Sequence, residues 1–381
     1  MKQTKQYQSF SHILFGLHWG VILLVLGIAC AGFAMLYSAA GGEMQPWARN
    51  QVIRFVPGFV MMICMAFIPL RWVMHSAYPF LIFCIALLIG VEVMGHIGMG
   101  AQRWVAIGSI NLQPSEITKI AVILALARYF HSANPDSLVS PVFLAPPLAM
   151  LLIPAALIYL QPNLGTATVL VTIGISIFFI AGVPWRYFIG LGGLAAIIAP
   201  IGWHFLHDYQ RRRIMTFLDP EKDPLGAGYN VLQSMIAIGS GGLSGKGFLN
   251  GSQGQLDFLP EKQTDFIFTM LAEEMGFVGG SILLAAYLLL IMFCYRIALM
   301  SNHRFGSYVA IGMGTMLFLH LFINVGMSMG MLPVVGVPLP LFSYGGSIMI
   351  AILLGFGFLL NVWNHRDVSP EKHSISIRGA R

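Results

Sequence analysis

Charge is what this sequence has least of. Asp, Glu, Lys and Arg make up 9% of its 381 residues, where a soluble surface alone needs roughly a quarter. That scarcity excludes a soluble domain. With 57% hydrophobic residues and a mean hydropathy of +0.78, the chain reads as a multi-spanning membrane protein. Strict apolar/polar alternation is missing too; the apolar runs are continuous, which argues against a membrane β-barrel. Cysteines number four, and Cys30, Cys64, Cys84 and Cys294 all fall inside apolar runs. This predicts buried free thiols and no disulfide framework. There is no repeat of fixed period, no low-complexity segment and no G-x-x-x-x-G-K-[ST] phosphate loop. The net charge of +6 is no nucleic-acid signal, because the basic residues sit mostly in short segments between apolar runs, where they set orientation. No small-residue cleavage site follows the first run, so that run is expected to stay as the first helix.

What is present is a series of about ten apolar spans. They run from about Leu17 to Ala40, Arg54 to Leu70, Ala77 to Met94, Gln113 to Phe130 and Val142 to Leu160, then from residue 166 to Gly182 and from Pro184 to Phe205. The last three are Phe266 to Met300, Gly306 to Met329, and one ending near Val362. Arg71 and His75 suggest a tight turn, 95–114 a Gly-rich loop, and Pro146, Pro147 and Pro154 kinks. Phe266 to Met300 is longer than a bilayer needs, which predicts tilt or protrusion. An even count puts both termini on one side. The bias of Lys and Arg makes that side the cytoplasm and the long loop, residues 206–264, external. The expected organisation is a cytoplasmic segment 1–16, a transmembrane domain 17–363 and a cytoplasmic basic tail 364–381. The fold class is all-α, a polytopic bundle with one long periplasmic loop between the seventh and eighth helices.

Polar residues in such a chain are functional candidates. Asp265 closes the long polar loop and stands at a helix N-terminus, where the dipole favours its ionised form. It could cap that helix, as could Thr264, or act as general base at a water–lipid boundary. Glu273 and Glu274 lie about two turns further on, and Glu116 and Lys119 share a helix face. Glu116 and Lys119 could pair with each other or contact substrate, and Glu273 and Glu274 could pair with buried donors or line a wet cavity. His320 and Asn324, one turn apart, could bond to a neighbouring helix. Arg211, Arg212 and Arg213 form the strongest cationic cluster, suited to a diphosphate or to anionic lipid headgroups. The stretch 229–238 has helical spacing suited to a membrane surface, and the glycines of 239–247 permit close backbone approach to a ligand.

A set of short motifs in fixed order carries a family resemblance. It comprises Gly100-Ala-Gln-Arg-Trp104, Gln113-Pro-Ser-Glu116 with Lys119, Gln161-Pro-Asn-Leu-Gly-Thr166, and Asp223 to Gly247. It continues with Phe258-Leu-Pro-Glu261, Thr264-Asp-Phe-Ile-Phe268, Ala272-Glu-Glu274, Asn324-Val-Gly-Met327 and Pro338 to Ser347. The chain resembles the SEDS family of cell-wall polymerases, and the wording of Asp223 to Asn230 is closer to its elongation branch than to its division branch. The resemblance implies a peptidoglycan glycosyltransferase of the bacterial cytoplasmic membrane that joins lipid II into β-1,4 glycan strands and releases undecaprenyl diphosphate. It maps the catalytic acid onto Asp265 and a functional loop tryptophan onto Trp104. It implies a class B penicillin-binding protein, a transpeptidase, as partner, together with other elongation-machinery membrane proteins. Two positions depart from the family pattern: Asn163 replaces an Asp, and Gln263 replaces a His. The first weakens any acidic or metal-binding role of the 161–166 turn, and the second removes a proton relay.

A β product from an α-linked lipid diphosphate requires inversion, with Asp265 taking the proton of the acceptor hydroxyl. The leaving group would be met by cations such as Arg211, Arg212, Arg213, Lys246 or Lys262, with Arg103, Trp104 and Glu261 in the substrate region. No cofactor is evident; a divalent cation, Mg or Mn, could share the leaving-group task without a dedicated site. Glu116, Lys119, Glu273, Glu274 and Asn324 are expected as intramembrane polar support. Lipid II and membrane lipids are the other partners, and no nucleic acid is. Two rival readings stay open: a lipid II flippase, which would use the intramembrane charges, and a non-catalytic scaffold for the transpeptidase.

Overall fold

A computed structural model of the chain describes residues 16–367 apart from 95, 99–100, 108–109, 206–207, 221–225 and 257. The segment before Gly16, the tail after Asp367 and Asp223 therefore lie outside the described residues. Among the described residues, ten helices of 18 or more residues form the bundle. The first seven are α1 (Trp19–Ala39), α2 (Trp47–Ala66), α3 (Leu70–Met94), α4 (Pro114–His131), α5 (Pro141–Leu160), α6 (Leu164–Ala181) and α7 (Trp185–Phe205). The long loop then contributes α8 (Asp208–Leu218), α9 (Ala227–Gly241) and the single turn α10 (Ser252–Gln255). The bundle closes with α11 (Ile267–Met300), α12 (Arg304–Ser328) and α13 (Gly346–Asn364).

Seven of the ten (α1, α3, α5, α6, α11, α12 and α13) are individually long and apolar enough to cross a membrane. The remaining three complete the bundle. Buried α4 packs against α3, α5, α6, α12 and α13, so Glu116 and Lys119 never meet lipid. Small residues let the central helices approach closely. A Cβ on Gly58 would stand 2.7 Å from Leu353, and one on Gly357 2.8 Å from Met65, where α2 meets α13.

Several boundaries differ from the sequence expectation. Helix α2 starts at Trp47 and α3 at Leu70, so Arg71 and His75 lie inside α3 and the turn falls at residues 67–69. Both side chains are exposed at the helix end, where long polar side chains reach water without breaking a helix. The 95–114 stretch is not a plain loop but a small antiparallel sheet in the order β1 (His96–Gly98), β2 (Ala101–Ile107), β3 (Ile110–Leu112). His96 pairs with Trp104, and Val105 with Leu112. All four cysteines are free, but Cys30 and Cys64 are exposed on the helix surface, and only Cys84 and Cys294 are buried.

The bundle has two rims. On one, Trp363 Nε1 donates to the Gly16 carbonyl (2.9 Å), and Arg304 to the Ala133 carbonyl (3.0 Å). Both ends of the described chain therefore sit on that rim. The other rim gathers the sheet, the long-loop helices and the Pro/Gly segment 329–345.

Candidate active site

The site begins with a break. Helix α11 is not one tilted rod: Gly276 has φ 66° and ψ −162°, a region open in practice only to glycine. The break separates a short helix, residues 267–275, from the long span. The second half of the long loop seals it. Lys246 N–H donates to the Glu273 carbonyl (3.0 Å), Gly247 N–H to Glu274 (2.9 Å), and Phe277 N–H to Gly242 (2.9 Å). A Cβ on Gly245 would stand 2.1 Å from the Glu274 carbonyl oxygen. The close approach that these glycines allow is thus to the protein's own backbone, not to a ligand.

Within this collar the two glutamates take the first of their two expected roles, pairing with buried donors. They are fully buried in protein. Glu273 is paired with Lys246 Nζ (2.6 Å) and accepts from Ser252 Oγ and Gln253 N–H (3.1 Å each). Glu274 accepts from the Ser38 hydroxyl and from Leu249 N–H (3.3 Å). Their partners come from the loop and α1, fixing the short helix rather than lining a channel.

Asp265 precedes the short helix. Its turn is organised by Glu261, a non-glycine residue at φ 57°, whose carbonyl accepts from the N–H groups of Thr264 (3.1 Å), Asp265 (3.2 Å) and Phe266 (3.4 Å). The N-cap position is Phe266, with no side-chain cap. The Thr264 hydroxyl instead donates to the Glu261 carboxylate (3.1 Å). Asp265 is therefore not spent as a cap. It is half-buried, and burial together with the neighbouring Glu261 carboxylate pushes its carboxyl up to about 6, against the opposing pull of the Arg213 guanidinium. A carboxylate poised near neutrality is suited to proton abstraction.

Facing it is Gly336, at φ 71°; a Cβ there would stand 3.4 Å from Asp265 Oδ2. The segment around Gly336 forms the second wall, stitched by main-chain bonds from several directions. Asn324 Nδ2 donates to the carbonyls of Asp265 (3.0 Å) and Val337 (2.9 Å), joining the two walls. Tyr344 N–H donates to the Gln263 carbonyl (2.8 Å), and Gln51 Nε2 to Ser343 (2.9 Å). The first turn of α6 backs this wall: a Cβ on Gly165 would stand 2.9 Å from the Val335 carbonyl oxygen. Asn163 caps α6 through Thr166 N–H (3.4 Å), a role an Asp would fill equally. Gln263 Nε2 donates to the Glu261 carboxylate (3.4 Å).

The other candidates divide. Arg213 faces the acid electrostatically and lines a small crevice with Thr216, Phe217, Val231, Leu332 and Pro333. Arg211 and Arg212 share its helix, α8, and Arg212 is exposed. Lys246 is held by Glu273, as above. Lys262 is buried, donating to the Gly254 carbonyl (2.6 Å) with its ammonium 5.9 Å from the centre of the Trp47 ring. Trp104 is half-buried on β2, and the side chain of Arg103 lies outside the described residues. Glu116 and Lys119 pair at 2.9 Å, and Lys119 also bonds to His320 (2.9 Å). Helix α9 packs one face on α11 and exposes Met235 and Ile236, consistent with the surface helix expected at 229–238. Among the described residues, no three His, Cys, Asp or Glu side chains converge as a metal site. Gly336 escaped the sequence reading; only the Pro/Gly composition of its turn hinted at irregular backbone there.

Comparison with known proteins accords with this arrangement. A family model described as the FtsW/RodA/SpoVE cell cycle protein matches residues 14–368. The peptidoglycan glycosyltransferase MrdB of Escherichia coli K12 is 46% identical over 351 residues, 91% of this chain and 94% of that protein. A chain from a structure described as the structural coordination of polymerization and crosslinking by a peptidoglycan synthase complex superposes with a TM-score of 0.80 at 35% identity, covering 92% of this chain and 98% of that one. The rod shape determining protein RodA of Thermus thermophilus superposes with a TM-score of 0.70 at 30% identity, covering 93% and 98%. With its order of motifs, its bundle of membrane helices and its broken eighth span, this chain belongs to the FtsW/RodA/SpoVE family, the SEDS proteins.

Proposed function

We propose that this chain is a peptidoglycan glycosyltransferase that polymerises lipid II on the outer side of the bacterial cytoplasmic membrane, with Asp265 as general base. One observation carries the assignment: a half-buried carboxylate, free of a capping duty, stands with its affinity for protons raised between Arg213 and Gly336. In the forward step Asp265 takes the proton from the acceptor 4-hydroxyl. That oxygen attacks the anomeric carbon of the donor as the bond to the lipid diphosphate breaks, giving the β linkage by inversion. Asp265 then returns its proton to water. Arg213, with Arg211 and Arg212 on the same helix, would balance the departing diphosphate. Lys246 and Lys262 are engaged elsewhere and serve the scaffold. A Mg or Mn ion would have to rely on substrate phosphate oxygens for much of its shell, as such ions commonly do.

The rim bearing Asp265 is assigned to the periplasmic side, and both termini, with segments 1–16 and 364–381, to the cytoplasm. A class B penicillin-binding protein is the proposed partner, alongside other membrane proteins of the elongation machinery. The flippase alternative is disfavoured, because the intramembrane charges it would use are bound within the protein: Glu116 pairs with Lys119, Glu273 with Lys246, and Glu274 accepts from Ser38 and Leu249. The test is lipid II polymerisation in detergent by the purified chain with its partner. Asp265→Asn keeps the shape and removes the base, so the rate should fall on the order of 10²–10⁴-fold. A normal rate for Asp265→Asn would overturn the assignment, and absence of polymerisation by the parent chain with partner binding intact would favour the scaffold.

A further inference from the structure

His320 is a buried polar residue with no role in the reaction above. It lies on α12, 1% exposed. Its Nε2 is 2.9 Å from Lys119 Nζ and its Nδ1 is 3.0 Å from the Pro338 carbonyl oxygen. An ammonium has only protons to give, so Nε2 accepts. Nδ1 then carries the ring proton and donates it to Pro338. The two partners fix the tautomer and the ring plane. One turn along the same face, Asn324 binds the carbonyls of Val337 and Asp265. Two side chains of α12 thus hold the main chain on both sides of the gap in which Gly336 meets Asp265 Oδ2. At the far end of the series, Lys119 is anchored by Glu116 at 2.9 Å.

We propose that His320 is a positioning residue for the glycosyl transfer: it links the Glu116–Lys119 ion pair to the Val335–Pro338 wall and so sets the width of the gap between Gly336 and the Asp265 carboxylate. The inference rests on the assignment of Asp265 as base. The acceptor hydroxyl must enter that gap, and a wall displaced by about 1 Å costs up to roughly a hundredfold in rate while leaving distant binding contacts in place. A histidine that merely satisfies its own buried nitrogens would matter for folding and not for the turnover of the folded protein.

Two near-isosteric variants separate the two bonds. The amide of His320→Asn falls near the position of Nδ1 and keeps the donor to Pro338. The amide of His320→Gln falls near Nε2 and keeps the contact with Lys119 but releases Pro338. The full chain is purified with its transpeptidase partner, checked for monodispersity and melting temperature, and assayed for lipid II polymerisation. Each variant severs the series at one of its two bonds, so the expected result is a kcat at least tenfold lower in both, with KM within about twofold and an unchanged melting temperature. A parent-like kcat in either folded variant overturns the proposal, as does a loss carried by KM. If His320→Gln does not fold, Glu116→Gln combined with Lys119→Met tests the same series from its other end. A tenfold fall in kcat at steady KM is expected, and a folded double variant of normal kcat overturns the proposal. Asp265→Asn run in parallel keeps the outcomes apart: if it is inactive while His320→Gln is normal, only the positioning role falls, and if it is active, the base assignment falls with it.

Discussion

With the Asp265 carboxyl pushed up to about 6, the proposed reaction should be sensitive to pH where most carboxylate bases are not. The base form is the ionised one, so activity is present above that value and lost as pH falls through it. At pH 7 about nine-tenths of the molecules hold the ionised acid and at pH 5 slightly under one-tenth, so kcat/KM should drop about tenfold over that interval. An acid of ordinary pKa, near 3.9, would lose only about a tenth of its activity over the same range. Burial is the larger cause of the rise and Glu261 the second. Glu261→Gln should therefore move the inflection to lower pH without abolishing it. Arg213→Gln should move it to higher pH, since the guanidinium opposes the rise. The assay is the initial rate of polymerisation of fluorescent lipid II between pH 4.5 and 8, with recovery on return to pH 7 to exclude unfolding. A profile that stays flat down to pH 5, or one that neither variant displaces, refutes the reasoning.

Further outcomes follow from the collar around α11. Gly276→Ala would put a Cβ 2.3 Å from Gly245 N, on a backbone few other residues adopt, and should cost about 3 kcal/mol or more of stability in a detergent melt. Gly27→Ala, with nothing within 4 Å, should leave the melt unchanged and serves as the control. Lys246→Met strands the buried Glu273 carboxylate. A fully buried pair would lose about 3–5 kcal/mol, and the partly wet lysine reduces this to about 2 kcal/mol. Adding Glu273→Gln should restore part of the loss, and a double variant weaker than the single one would contradict that account.

The spans were legible because lipid imposes one simple rule on composition, and continuous apolar runs obey it. The boundaries failed where a helix reaches water. Arg71 and His75 look like a turn in the sequence, yet their stems run along the surface of α3, and the His75 ring bonds the Arg71 carbonyl at 2.7 Å. Helix α2 begins early because Gln51, polar in the sequence, spends its amide on Ser343 and Gly345. The three short strands gave too few alternations to be read against a glycine-rich background. The break at Gly276 was invisible because a single glycine in an apolar run leaves hydropathy unchanged. Glu273 and Glu274 were recognised as costly, but their partners lie on the loop and on α1, and local spacing carries no trace of such pairings. For Asp265 the local pattern offered a cap and a base alike. The ordered motifs favoured the base, and the Thr264 hydroxyl, turned back to Glu261, removes the capping alternative.

The bond between Trp363 and Gly16 has a practical corollary. The long part of α11 after its break measures about 36 Å at the usual rise per residue, more than the thickness of a hydrocarbon core. A small label placed at Gly16 or Trp363 would therefore stand at the opposite rim of the bundle from Asp265. Such a probe can report on assembly or diffusion without crowding the proposed site of glycosyl transfer.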